Sequence, residues 1–183
     1  MFIQTEETPN PATMKFLPSC EVMGDGTLEI TAASGAAVSP LAEALFAIEG
    51  VKGVFLGRDF ITVTKTTDKD WPVLKPAILT SIMDHFTNKR PVVTAAAATQ
   101  NVTHGGDTDI EKKIRELIDI KVRPAVAQDG GDIVFESFDE GIVYLTMKGA
   151  CSGCPSSTMT LKAGIENMLK HYIPEVREVR QAR

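Results

Sequence analysis

Apolar and polar positions fall into two patterned stretches separated by an unpatterned one. In the first stretch, alternation near residues 2–5, 14–17 and 28–31 predicts short strands. Ser39-Pro40 reads as an N-cap followed by proline at the first helical position. The helix it opens, 41–48, places Leu41, Ala44, Leu45 and Ile48 on one face and stops at Gly50. Residues 51–56 and 60–64 flank Gly57-Arg58-Asp59, a hairpin signal. Leu74, Ile78, Ile82 and Phe86, at steps of four, predict a closing helix with Pro76 in its early part.

The second stretch is simpler. Residues 109–127 predict a helix with Ile110, Ile114, Leu117 and Ile118 on one face, bent or ended by Pro124. Asp129-Gly130-Gly131 turns the chain into strands 133–138 and 142–147, joined by Asp139-Glu140-Gly141. A helix over 156–173 follows, with Ile165, Met168, Leu169 and Tyr172 inward, and residues 176–179 make a short final strand. Between the stretches, 89–107 is small and polar, without periodicity, and ends near Gly105-Gly106. The expected fold is therefore mixed α/β (α+β): two small two-layer domains, 1–88 and 108–183, joined by a flexible linker at 89–107.

Composition narrows the function classes. A hydrophobic fraction of 43% and a charged fraction of 23% are ordinary for a globular protein of 183 residues. No run approaches the ~20 apolar residues that cross a bilayer, so no membrane partner is expected. The net charge of −5 argues against a general nucleic-acid binder. The first residues lack the pattern of a signal peptide or an organellar leader. They read as a mature cytosolic start. Acidity concentrates in residues 1–88, with six Lys/Arg against eleven Asp/Glu; residues 108–183 hold eleven against twelve. That acidity reads as a solvated surface.

Cys151 and Cys154, in Lys148-Gly149-Ala150-Cys151-Ser152-Gly153-Cys154-Pro155, carry the chemistry. The thiols lie between a strand and a helix, with Pro155 in the first helical turn. Cys154 falls just before that helix, whose N-terminus favours negative charge, and Lys148 adds a positive one, so a thiolate is expected there. Gly149 and Gly153 let backbone amides approach sulfur. The only other cysteine, Cys20, is far away in sequence. Tetrahedral thiolate sites and iron–sulfur clusters usually take four ligands. A second copy of the chain is the simplest source of the missing two. Four uses stay open on the residues alone: a redox dithiol, half of a zinc site, a loop with free thiols, and a shared iron–sulfur cluster. In any of them the thiols are expected to add little to the core.

Other conspicuous residues take ordinary roles. Asp129-Gly130-Gly131-Asp132 is read as a helix end that needs glycine, followed by a turn. Cys20 is an incidental thiol, and His85, His104 and His171 lack metal-ligand spacing and take surface or packing roles. Met159 and Met168 are expected in the core. No catalytic set stands out.

Val122-Arg123-Pro124, Gln128-Asp129-Gly130-Gly131-Asp132-Ile133, Gly149-Ala150-Cys151-Ser152-Gly153-Cys154-Pro155-Ser156-Ser157 and Thr160-Leu161-Lys162-Ala163-Gly164-Ile165-Glu166 closely resemble the C-terminal domain of NifU-like (Nfu) proteins. Thr8-Pro9-Asn10-Pro11-Ala12-Thr13-Met14-Lys15-Phe16, Ser39-Pro40-Leu41-Ala42 and Gly50-Val51-Lys52-Gly53-Val54-Phe55 resemble the N-terminal domain of the same family. The resemblance implies a non-enzymatic iron–sulfur scaffold or carrier. Cys151 and Cys154 would match the family's cluster ligands. They would hold a 4Fe–4S cluster, or a 2Fe–2S one, bridged between two subunits and passed to apo iron–sulfur enzymes. Upstream assembly proteins would be the donors, and the N-terminal domain a docking or regulatory module. The resemblance, with the start of the chain, implies a bacterial cytoplasm, or the mitochondrial matrix for a processed organellar form. The alternatives are a thiol–disulfide oxidoreductase and a zinc-stabilised interaction module.

Overall fold

A computed structural model describes residues 2–24, 26–94, 108–152 and 155–182, with backbone alone at 155–157. The chain divides into two compact units, Met1–Val102 and Thr103–Arg183. Cys154, Gly153, His104 and the linker positions 95–107 lie outside the described residues. Among the described residues no helix is long and apolar enough to cross a membrane.

The first unit is an antiparallel sheet of β1 (Gln4–Glu7), β2 (Thr13–Leu17), β3 (Leu28–Ile30), β4 (Val51–Leu56) and β5 (Ile61–Lys65), in the order β1-β2-β5-β4-β3. Helices α1 (Pro40–Phe46) and α2 (Trp71–Thr87) share its core of Phe16, Leu41, Leu45, Leu56, Ile61, Ile78 and Ile82. Ser39 caps α1 as expected, accepting from the Ala42 amide at 3.1 Å. A 3-10 turn over Ala33–Val38, absent from the sequence reading, leads into that cap. Residues 91–94, expected to begin the linker, are instead held on this unit. Val92 and Val93 pack against its core, and the Thr94 amide donates to the Val38 carbonyl at 2.8 Å.

The apolar stripe of α2 departs from the expected one at its end. Steps of four drift about 40° around a helix of 3.6 residues per turn, and a step of three restores the face. Leu74, Ile78 and Ile82 are buried, but the next buried residue is His85, at 1% exposure, and Phe86 is half-buried. Neither imidazole nitrogen of His85 has a hydrogen-bond partner. Burial, then the nearby Arg90 cation, lowers its pKa. The unfolded chain therefore binds the extra proton more readily, with an ordinary value of about 6.5. Stability of this unit should be lost as the pH falls below about 6.5, by up to ~1.4 kcal/mol per pH unit until the lowered native value is reached. Trp71 is the only tryptophan and lies in this unit, so its fluorescence during urea unfolding reports the effect. His85→Leu should flatten that acid slope.

The second unit has a three-stranded sheet, β6 (Gly131–Asp139), β7 (Ile142–Gly149) and β8 (Glu178–Gln181), in sequence order. β6 and β7 form a hairpin, and β8 runs parallel to β7. Burial alternates along β7, so one face of the sheet is covered. Helices α3 (Asp109–Leu117), α4 (Arg123–Gln128) and α5 (Pro155–Tyr172) bring Ile114, Val126, Ile165 and Leu169 onto Ile133, Val143 and Leu145. Thr108 and Glu111 form a capping box at the start of α3.

Pro124 neither bends nor ends the first helix in the simple way expected. A π turn at Ile118–Val122 intervenes, in which the Arg123 amide donates to the Ile118 carbonyl. Proline has no N–H to continue an α ladder. The wider turn also absorbs the drift of Ile114, Ile118, Val122 and Val126, which are spaced by four and all buried. Two inward assignments on α5 fail. Met159 lies about 120° around the helix from Ile165 and is 73% exposed. Tyr172 reaches the end of the core and is 52% exposed, while Ile173 takes the buried place. Met168 is half-buried against the core.

Candidate metal centre

The cysteine loop leaves the open end of the β6–β7 hairpin. Gly131 pairs with Gly149 there, and the Ala150 amide donates to the Gly130 carbonyl at 3.1 Å. Gly130 and Gly149 adopt φ of 81° and 64°, left-handed values that favour glycine. Gly130 thus fulfils the helix-end role expected for it, with its amide donating to the Ala127 carbonyl. Beyond the hairpin, Ser152 donates from both its amide and its hydroxyl to the Gly149 carbonyl. The Thr158 hydroxyl donates to the Cys151 carbonyl at 3.2 Å, tying the loop to the first turns of α5.

Cys151 is not a surface thiol. It is 7% exposed and packs within the core of the second unit, so the expectation that the thiols add little to the core is wrong for this one. Burial, then the negative charges of Asp129 and Asp132, pushes its thiol up to about 12. The thiolate expected at the helix terminus belongs to Cys154, outside the described residues; at Cys151 low polarity and two carboxylates favour the protonated thiol. Gly131 makes room for the sulfur: a Cβ there would lie 2.4 Å from Cys151 Sγ and 2.8 Å from the Lys148 carbonyl oxygen.

Asp132 was expected only to turn the chain, yet it is a buried anion at 3% exposure. Arg123 holds it with two bonds, Nε to Oδ1 at 2.8 Å and an Nη to Oδ2 at 3.0 Å. The Ile133 amide also donates to Oδ1. Arg123 makes a further pair with Asp119 on the π turn at 3.2 Å. The lattice thus joins π turn, α4 and β6 immediately beside Gly131. Arg and Asp in adjacent motifs were visible in sequence, but nothing local signalled their pairing. Arg123→Ala should leave Asp132 buried and uncompensated. A loss of roughly 2–3 kcal/mol is expected, below the usual range for a buried pair, because 38% of the Arg123 side chain stays in solvent. Both tyrosines, Tyr144 and Tyr172, belong to this unit and report its urea transition.

The remaining candidates do not gather here. Cys20 is a half-buried free thiol of the first unit, whose pKa burial raises. His85 belongs to α2, and His171 is exposed with its ring edge against Tyr172. Among the described residues no three His, Cys, Asp or Glu side chains converge to hold a metal.

Comparison with known proteins places this geometry. A family model described as Scaffold protein Nfu/NifU N terminal matches residues 3–89, and one described as NifU-like domain matches 114–180. The human protein named NFU1 iron-sulfur cluster scaffold homolog, mitochondrial, is 48% identical over 99% of this chain and 72% of its own length. The chain belongs to the Nfu/NifU family. Another Nfu relative, NifU-like protein 5, mitochondrial, from Arabidopsis thaliana, is 48% identical over 99% of this chain and 68% of its own. A solved NifU-like protein from Saccharomyces cerevisiae aligns with 52% of this chain and 86% of its own, at 25% identity and a TM-score of 0.47. In this Nfu chain the NifU-like match contains the cysteine loop, the hairpin and the Arg123–Asp132 pair.

Proposed function

We propose that two copies of this chain hold one iron–sulfur cluster between them through Cys151 and Cys154 of each, and hand it to apo iron–sulfur enzymes. The cluster is cargo. One observation carries the reading: within a family whose relatives are named cluster scaffolds, the NifU-like stretch brings two thiols. Four thiolates suit a 4Fe–4S or a 2Fe–2S cluster, so two chains complete the set that one begins. The setting of Cys151 supports the reading, since Gly131 gives the sulfur its place and the Ser152 and Thr158 hydroxyls hold the backbone around it. Iron would displace the thiol proton on binding, which lets a thiol with a raised pKa serve as a ligand.

The same thiol disfavours the oxidoreductase alternative. Dithiol exchange begins with an accessible thiolate, whereas Cys151 is buried with a pKa of about 12. The reading is of a carrier, not an enzyme. In it the first unit serves as the docking or regulatory module, and upstream assembly proteins supply the cluster. The mitochondrial names of the relatives favour the organellar location over the bacterial cytoplasm.

Anaerobic reconstitution of the full chain with iron and sulfide should give a brown dimer with about two irons per chain, as one 4Fe–4S cluster per pair requires. About one iron per chain would instead indicate the 2Fe–2S form. A colourless monomer, or tightly bound zinc that iron does not displace, would refute the proposal.

A further inference from the structure

The π turn leaves a second feature that cluster binding does not use. Ile120, in the middle of that turn, is 64% exposed, and Tyr172 across from it is 52% exposed. With Leu117 and Ile173 they line a groove of about 320 Å³. Lys113, Glu116 and Lys121 complete its lining. The Lys121 ammonium sits 5.2 Å above the Tyr172 ring, which holds the aromatic wall in place.

We propose that this groove docks an acidic amphipathic helix of a protein partner. Its shape argues for a helix. Residues 113, 116, 117, 120 and 121 fall at helical spacing along one face and give a strip about 12 Å long, the layout of helix-in-groove recognition. Its charge argues for an acidic partner. The lining carries two cations against one carboxylate, and among the described residues neither lysine makes an ion pair. Charge also argues against a second copy seated groove to groove, because a two-fold contact would bring together two linings of net positive charge. The site leaves the cysteines free. Tyr172 ends α5, whereas the cysteine loop precedes its start, a helix length of about 27 Å away. The inference does not depend on the cluster reading.

The test titrates the isotope-labelled full chain with a synthetic peptide of about fourteen residues, leucine at every third or fourth position and glutamate between them. Amide shifts are expected at residues 113–121 and 172–173, and high salt should weaken binding. Ile120→Glu and Lys121→Glu, both at exposed positions, should each weaken it at least ~10-fold by placing a carboxylate against the acidic helix. A control peptide with lysine replacing glutamate should not bind. The proposal is overturned if the control binds equally well, if the variants bind unchanged, or if the shifts fall elsewhere. Absence of binding at millimolar peptide overturns it too, as do groove shifts that arise from raising the protein concentration alone, which would mark a contact between copies.

Discussion

Gly131→Ala should cost the second unit about 3 kcal/mol, the upper end for an overpacked core, and should remove most of the bound iron. The added methyl would sit 2.4 Å from Cys151 Sγ, 2.8 Å from the Lys148 carbonyl oxygen and 3.1 Å from the Cys151 amide nitrogen. Two of those three atoms are backbone and cannot rotate aside. The strand register holds them in place, since Gly131 pairs with Gly149 and Asp132 with Lys148. The sulfur must move, or the hairpin must open. Tyrosine fluorescence in urea reads the stability, and iron analysis after reconstitution reads the cargo. A variant with wild-type stability and full iron would show that the cradle has no steric role. By contrast, a glycine needed only for its backbone freedom would present no such clash.

Cys154→Ser should retain less than about a tenth of the wild-type iron while the chain stays folded, because a pair of variant chains offers two thiolates where the cluster takes four. It is a cleaner variant than Cys151→Ser. The latter places a hydroxyl in the core where a 7% exposed thiol now packs, at a cost of roughly 1–3 kcal/mol from desolvation alone. Far-UV dichroism and urea transitions separate the two effects. Full iron retention in Cys154→Ser would remove this residue from the ligand set. Unfolding of that variant would make Cys154 structural.

The site was half legible in sequence. The two cysteines are three residues apart and announce themselves without any fold. The state of the first thiol was not legible. Cys151 faces core side chains and lies near Asp129 and Asp132, and that packing, which no local pattern signals, raises its proton affinity. Gly131 was read as a turn residue and proves to be a sterically required gap. Met159 was placed in the core from its apolar character alone. Its angle around α5 puts it in solvent.

Much of the architecture needed only neighbouring residues. The Ser39-Pro40 helix start, the hairpin at Gly57-Arg58-Asp59, the mixed α/β class and the two cysteines all follow from spacing, capping and turn chemistry, which act within a few residues. Tertiary packing decided the rest. It chose the π turn that takes up the drift of Val122 and Val126, the burial of His85 in place of Phe86, and the pairing of Arg123 with Asp132. It also set the proton affinity of Cys151. The physical reason is range. Periodicity and caps are local, whereas burial, desolvation and a buried ion pair depend on what another element brings against the residue.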